Sequence, residues 1–537
     1  MKRTIGFFVM LTCVMVLGFS QDITWDVYNT ASYIEAVNGI RGGGNNRTHT
    51  ILVNGNVSIP ISSEITFGSV TGITVNIQGN GVISSPSNGN LLQIGNEQVI
   101  IIRDLTLLGR ATNNNYLVSI ARGGTFRMEG NATVKENNTG GVHVGQGTFI
   151  MQDNASVSNN TGRGVSVGGV FQGGGTFIMK DDTSVQGNSS TGHSAYGGGV
   201  FIGGGTFFMQ DNASIRGNTV NGRANGDASG GGVFLHGGTF TMRDNASVQE
   251  NTVNLRRGWG TATASGGGVF ITDNVWQRAS GTFIMEGGTI SGNIVNANGT
   301  AAFSASGGGV HISHRGRDVN FTMNGGIISG NTVSASTTGT HFVGAVGGGV
   351  SGSFTMNSGT ISDNAAIGSG TRVRGNGGGV SGSISMNGGI ISNNNASNNG
   401  GGVSGSLSMN GGTISNNNAS NNGGGASGSI SMNGGIISDN TAVNDGGGVF
   451  TTERFTMQGG TISGNNSGNN GGGVFIADRA ILTKTGGTIS GSDGADTDRN
   501  TAAGRGIALY WQTGPQWRNI SAGQSISSDS FGFWLND

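Results

Sequence analysis

Apolar and polar residues alternate at a period of two in short runs, and the same runs return along most of the chain. In GGGVFI, Val200 and Ile202 share a face; in GTFFM, Phe207 and Met209 do; in the run after that, Ile215 points the same way. A period of two predicts strands, because successive side chains of an extended backbone point to opposite sides. Gly-Gly and Asp-Asn pairs between the runs supply turns that tolerate left-handed backbone. Each unit is therefore expected to hold three short strands and three turns.

The unit is most regular from residue 376 to 450, where 23 residues recur almost verbatim, as in GGGVSGSLSMNGGTISNNNASNN from Gly400 to Asn422. Methionine fixes the register. Of 15 Met, three fall in the first 20 residues and the other twelve, Met128 to Met457, occupy one column; Lys484 takes that place in a thirteenth unit. A second column of Asn, from Asn137 to Asn465, follows each Met by eight or nine residues. A third column is GGGV or GGGA, ending at Val200 in an early unit and at Val474 in the last. Such units predict coils of a parallel β-solenoid, stacked at the ~4.8 Å spacing of paired strands. About sixteen coils would make roughly 75 Å of rod. Like residues then lie on like. Val, Ile, Phe and Met columns become the core, and Asn columns can form amide ladders along the axis.

These units resemble those of right-handed parallel β-helix proteins of the pectin-lyase-like group. The GGGV and TISGN columns are similar to two repeats of polymorphic outer-membrane adhesins: GGA followed by Ile, Leu or Val, and Phe-x-x-Asn. The likeness covers about residues 123–491. Here a third Gly stands in place of Ala, and Ile-Ser in place of Phe before the Asn. The resemblance implies an all-β, right-handed parallel β-helix with an adhesin-like role at the cell surface, associated with an outer membrane. The group also includes polysaccharide lyases and glycosidases, so a carbohydrate-active enzyme is the alternative it implies.

The ends differ in texture. Residues 1–20 read as an export leader: Lys2-Arg3, an apolar stretch from Ile5 to Leu17, then Gly18-Phe19-Ser20, predicting a mature start at Gln21. A lipid-bearing Cys13 after Leu11-Thr12 is the competing reading. Residues 21–50 predict an N-terminal cap with a helix over Ala31–Ile40, Thr30 as its N-cap, and Tyr33, Ile34 and Val37 at helical spacing. Residues 51–122 predict atypical coils, with strands at Thr50–Val53, Ile73–Ile77 and Val99–Leu108. Residues 492–537 collect Trp511, Trp517, Phe531, Phe533 and Trp534. A solenoid end must be covered or it pairs with another chain, so these aromatics predict a C-terminal cap. A docking site for a surface partner is the alternative.

Composition narrows the function classes. Of 537 residues 108 are Gly, a density that would cost ~1 kcal/mol per site in helices and excludes a helical bundle. Irregular Gly spacing with three Pro excludes collagen. Lys and Arg number 27 and Asp and Glu 28, a net charge of −1 without basic runs, so nucleic-acid binding is not expected. The single Cys falls in the leader, so an exported chain is expected to be held by an extended core rather than by disulfides. No later stretch is apolar enough to span a membrane as a helix.

Candidate chemistry gathers where the units lengthen. Between the Asn column and GGG the chain takes five residues from Asn394 onward, but eleven after Asn218, fourteen after Asn251 and fifteen after Asn331. A second insertion point follows GGGV, at Thr272–Ser280 and Ser313–Asn320. Insertions at constant points predict ridges along the rod, often the binding face. They hold Arg256, Arg257, Trp259, Trp276, Arg278, His314, Arg315, Arg317, His341, Arg372 and Arg374. Trp faces and Arg forks suit stacking on sugars or gripping acidic groups. The acids do not suggest the converging pair of a glycosidase. Asp153, Asp182, Asp211 and Asp244 read as one turn column, Asp493, Asp496 and Asp498 lack the spacing of a calcium loop, and His143 and His236 have no adjacent acid. No catalytic residue, metal or cofactor is expected. The expectation is a secreted or surface-associated monomer that binds a glycan or matrix protein by multivalent contact along a rigid rod. A polysaccharide lyase or glycosidase is the alternative. A structural spacer is the third, and the coils at 376–470, which expose mainly Asn and Ser, look most like one.

Overall fold

Each run of alternating residues forms a strand, and each strand pairs in parallel with its counterpart one coil on. The computed structural model describes residues 23–62, 66–168, 173–223, 226–257, 262–300, 303–316, 318–370, 372–491, 498–506, 508–512, 527–529 and 532–535. The proposed leader, with Cys13, lies outside the described residues. A first strand carries GGGV, a second carries the Phe-x-Met pattern and a third carries Thr-Ile-Ser or its variants. The register is like on like: Phe149 beside Phe177 and Phe207, Met151 beside Met179 and Met209, Val157 beside Val185 and Ile215. First and second strands share a sheet of 32 strands, and the third strand forms a sheet of 16, one per coil. The chain is an all-β parallel solenoid, and its described residues hold sixteen stacked third strands, close to the expected number of coils. At Val380–Met386 and Val403–Met409 the first two strands fuse into one, bent at Gly382 and Gly405, whose φ values of 133° and 130° an L side chain rarely adopts.

The inward columns make one continuous core. Val200, Ile202, Phe207, Met209 and Ile215 are all fully buried, as their alternation predicts. Phe rings stack from Phe126 to Phe354; the Phe207, Phe240 and Phe283 centroids lie 4.7 Å apart. From Met242 to Met457 each core Met lies against a glycine of the next coil. A Cβ on Gly435 would come within 2.5 Å of the Met409 Cε and 2.8 Å of the Gly412 carbonyl, so the repeated NGG leaves room for the Met column.

The Asn column forms a buried ladder. The Asn188 Nδ2 donates to Asn218 Oδ1 at 3.0 Å and to the Val157 carbonyl at 3.1 Å, while the Asn188 backbone N–H donates to the same Asn218 Oδ1. This satisfies both ends of an amide that burial would otherwise penalise. The ladder runs past the predicted column at both ends, to Asn113 and Asn500. It has one irregular rung. Asn137 turns its Nδ2 to the Asn115 and Gly140 carbonyls, so only its backbone N–H reaches Asn160.

The ends bring three corrections. The N-terminal helix spans Thr30–Gly43, and its N-cap is Asn29, not Thr30: Asn29 Oδ1 accepts from the Ser32 N–H at 3.0 Å, and Ser32 Oγ accepts from the Asn29 N–H. Its buried face is Tyr33, Ala36, Val37 and Ile40, while Ile34 falls off that face and stays half-buried. The stretch Val99–Leu108 is two strands, Gln98–Arg103 and Thr106–Leu108, in different sheets, because Asp104 turns the chain with φ 52°. At the other end the last parallel strand, Leu509–Trp511, pairs antiparallel with Gly532–Leu535, which pairs in turn with Ser527–Asp529. Tyr510 and Trp511 are buried there. Trp517 and Phe531 lie outside the described residues, and only backbone is described for Phe533 and Trp534. Among the described residues no helix is long and apolar enough to cross a membrane.

Candidate functional site

The long insertions between the Asn column and GGG are strands, not loops. Outgoing strands at Ser189–Gly192, Thr219–Gly222, Thr252–Arg257, Ile294–Gly299, Thr332–Thr337 and Ala365–Ser369 stack in parallel. Return strands at Ala195–Tyr196, Ala228–Ser229, Ala262–Ser265, Phe303–Ser306, Val343–Val346 and Val373–Asn376 form a separate sheet of six. Together they make an arm on the side of the rod. It has a core of its own, with Val253, Leu255, Val295 and Val333 against Ala264, Phe303, Ala305 and Ala345. Alanine on the return strands lets the two sheets approach closely. From Asn394 onward the arm shrinks to a two-residue strand such as Asn-Ala or Thr-Ala, and Ala396, Ala419 and Ala442 stay buried where the longer strands carry Val at their second position.

The candidate residues divide between this arm and a second place. On the outer face of the outgoing sheet, Arg223 and Arg256 are exposed beside an amide row in which Asn254 donates to Asn221 at 3.0 Å and Asn296 to Asn254 at 3.4 Å. A shallow hollow of about 680 Å³ lies over them. At the arm's tip Phe342 is 64 % exposed, with the Arg372 and Arg374 guanidiniums 5.3 and 5.8 Å from its ring centre. The Arg372 Nη1 also donates to the Thr340 carbonyl at 3.0 Å, and His341 is exposed next to Phe342. Arg257 belongs to the outgoing sheet by its backbone; Trp259 and Arg317 lie outside the described residues.

Trp276 and Arg278 are not on the arm. They sit on a small hairpin closed by Asn274 and Ala279, on the insertion that follows GGGV, with Trp276 70 % exposed. Its base holds the buried Asp273, whose carboxylate accepts the Arg315 N–H at 2.8 Å. This hairpin brings an acid toward His236 that sequence distance had hidden. Burial pushes the His236 pKa down, the nearby Arg315 adds to this, and Asp273 opposes it. His143 is lowered likewise by burial and then by Arg163. The predicted binding ridge is thus two separate features.

The acids arrange themselves as a turn device, with one correction. The repeated position is Asp153, Asp181, Asp211 and Asp244, not Asp182; all four have φ between 54° and 58°. Each carboxylate from Asp153 onward accepts a backbone N–H from the coil before, as Asp211 does from Asp181 at 3.1 Å. That hydrogen bond holds the Asp211 pKa below the usual carboxylate range. Asp182 instead accepts from the Asn212 side chain at 3.0 Å. Glu129, also buried, is held by Arg103 and Arg127. Among the described residues no three His, Cys, Asp or Glu side chains come together as a metal site. Sequence reasoning missed Phe342, Arg223 and the Asn221–Asn254–Asn296 row. A Phe between His and Val in the longest insertion was the available signal for the first. Comparison with protein-family models, curated proteins and solved structures found no match.

Proposed function

We propose that the chain is a binding rod, secreted or held at the cell surface, that grips acidic glycans or the acidic groups of a matrix protein through its arm. Charge segregation carries this reading. The arm segments hold Arg223, Arg256, Arg257, Arg372 and Arg374 against a single acid, Asp227, in a chain whose net charge is −1. Guanidinium forks pair well with carboxylates and sulfates, and the exposed Phe342 ring beside two of them adds an aromatic surface for a sugar ring. The arm's own core holds Arg256 and Arg374 on strands and Arg223, Phe342 and Arg372 next to strand ends, so little order has to be gained on binding. Weak contacts repeated along a rigid body add through effective concentration. The leader-like residues 1–20 and the similarity of the GGGV and TISGN columns to adhesin repeats support a place outside the cell. Kinship with pectin-lyase-like β-helices belongs to the same proposal.

The test is retention of the purified chain on acidic and neutral polysaccharides, with Ca²⁺ added in parallel samples and released sugar ends measured throughout. Retention on the acidic polymer should fall about ten-fold in Arg372→Gln/Arg374→Gln, and should weaken steeply as salt shortens the screening length below about 10 Å. Undiminished retention by that variant would remove the arm from the site. Release of new reducing or unsaturated ends would replace binding by the enzymatic reading.

A further inference from the structure

The outward face of the second strand changes character along the rod. Its central column reads Arg127, Ile150, Ile178, Phe208, Thr241 and Ile284 in the early coils. From Thr322 onward the same column holds Thr355, Ser385, Ser408 and Ser431. A second row, Ser353, Ser383, Ser406 and Ser429, runs beside it, two residues back along the chain in each coil. The small side chains leave a trough of about 620 Å³. His314 and Asp318, from the insertion after GGGV, stand at one end and Arg454 at the other. Between the serines lie Phe354, Ile384, Leu407 and Ile430, whose side chains turn into the core and leave the floor to the hydroxyls and the backbone. From Thr322 to Arg454 is five coil steps, about 24 Å along the axis.

We propose that this trough is a second binding site, for a single neutral, linear polysaccharide chain lying along the rod. The floor offers what such a polymer can use: rows of hydroxyls, each able to donate and accept, for its hydroxyl rim. Hydroxyl groups recur once per coil, so successive sugars meet the same surroundings. Among the described residues lining the trough, charge is confined to its ends, so an acidic polymer gains nothing along the floor. An extended peptide gains little either, because the backbone groups of the floor already pair within the sheet and leave no strand edge to extend. The site stands apart from the arm and does not depend on it.

The full chain is titrated calorimetrically with two neutral probes, a β-1,4-linked glucose hexasaccharide and an N-acetylglucosamine hexasaccharide. The test variant is Ser385→Ile/Ser408→Ile, which fills the floor. The fold accepts isoleucine in this column, as Ile150, Ile178 and Ile284 show. One or both probes should bind the unsubstituted chain, and binding should weaken about ten-fold or more in the filled variant, a loss of ~1.4 kcal/mol. Arg372→Gln/Arg374→Gln should bind the neutral probe as before. Failure of both probes to bind the unsubstituted chain, or equal binding by the filled variant, overturns the assignment. Retention of the filled variant on an acidic polymer reports on the arm alone, so the two proposals fail separately.

Discussion

A single side chain can carry a pH response in this fold. His311 continues a column of Phe201, Phe234 and Phe270 at the corner where the arm's return strands meet the GGG turns, and its ring stacks on Phe270 with centroids 5.2 Å apart. Part of the residue's surface stays accessible, but its Nδ1 is enclosed without a hydrogen-bond partner. Burial pushes its pKa down to about 4. A histidine whose folded pKa lies below its unfolded value binds more protons when unfolded. Its neutral form therefore stabilises fully above pH ~6.5, and that contribution is lost as pH falls toward 4. The full shift would correspond to about 3 kcal/mol, and the ring's partial exposure reduces this to on the order of 1–2 kcal/mol. His311→Phe extends the Phe stack and should flatten this part of the profile, read as thermal midpoint between pH 7 and pH 4. An unchanged slope would mean that other groups set it.

Strands of the rod were legible in the sequence and strands of the arm were not, for a physical reason. Met, Asn and GGG columns are each nearly one residue type, since stacking places like on like, so Met128 to Met457 declared the register. The arm's inward faces are small and mixed: in TVSAST Val333, Ala335 and Thr337 are the buried positions, and Ala and Thr hardly mark an apolar alternation. Its insertions therefore read as loops, and Arg256, His341, Arg372 and Arg374 were found as uncommon residues rather than as members of a surface. The serines of SGS were equally opaque. As repeats they read as spacer, and only the loss of bulk relative to Ile150 and Phe208 makes them a floor. Because the arm's core is separate from the rod's, the two elements should fail separately. Ala305→Leu overpacks the arm at a cost of about 1–3 kcal/mol. The expected result is faster proteolytic cutting between residues 189 and 376 with the main thermal transition unmoved. A matching fall in that transition would show that arm and rod unfold together.

At the scale of the whole molecule, near-identical coils make length adjustable. Removing Gly400–Asn422 takes out one coil and brings Asn394 to Asn440, Val380 to Ala426 and Met386 to Met432, pairings of the kind already present. The deleted chain should keep its β-type circular dichroism and unfold within a few degrees of the parent, since each coil contacts only its neighbours. Loss of the β signal would refute the register. The same nearest-neighbour construction governs the response to pulling. Tension between the two ends of the rod passes through every coil boundary in series, so the molecule yields at its weakest boundary, whatever the strength of the rest. The rung at Asn137 is the one where the side-chain amide turns aside, leaving a backbone bond to Asn160 to span the gap. That boundary lies on the N-terminal side of both the arm and the trough, so a rod that parts there sheds its first coils while the part that carries arm and trough stays in one piece.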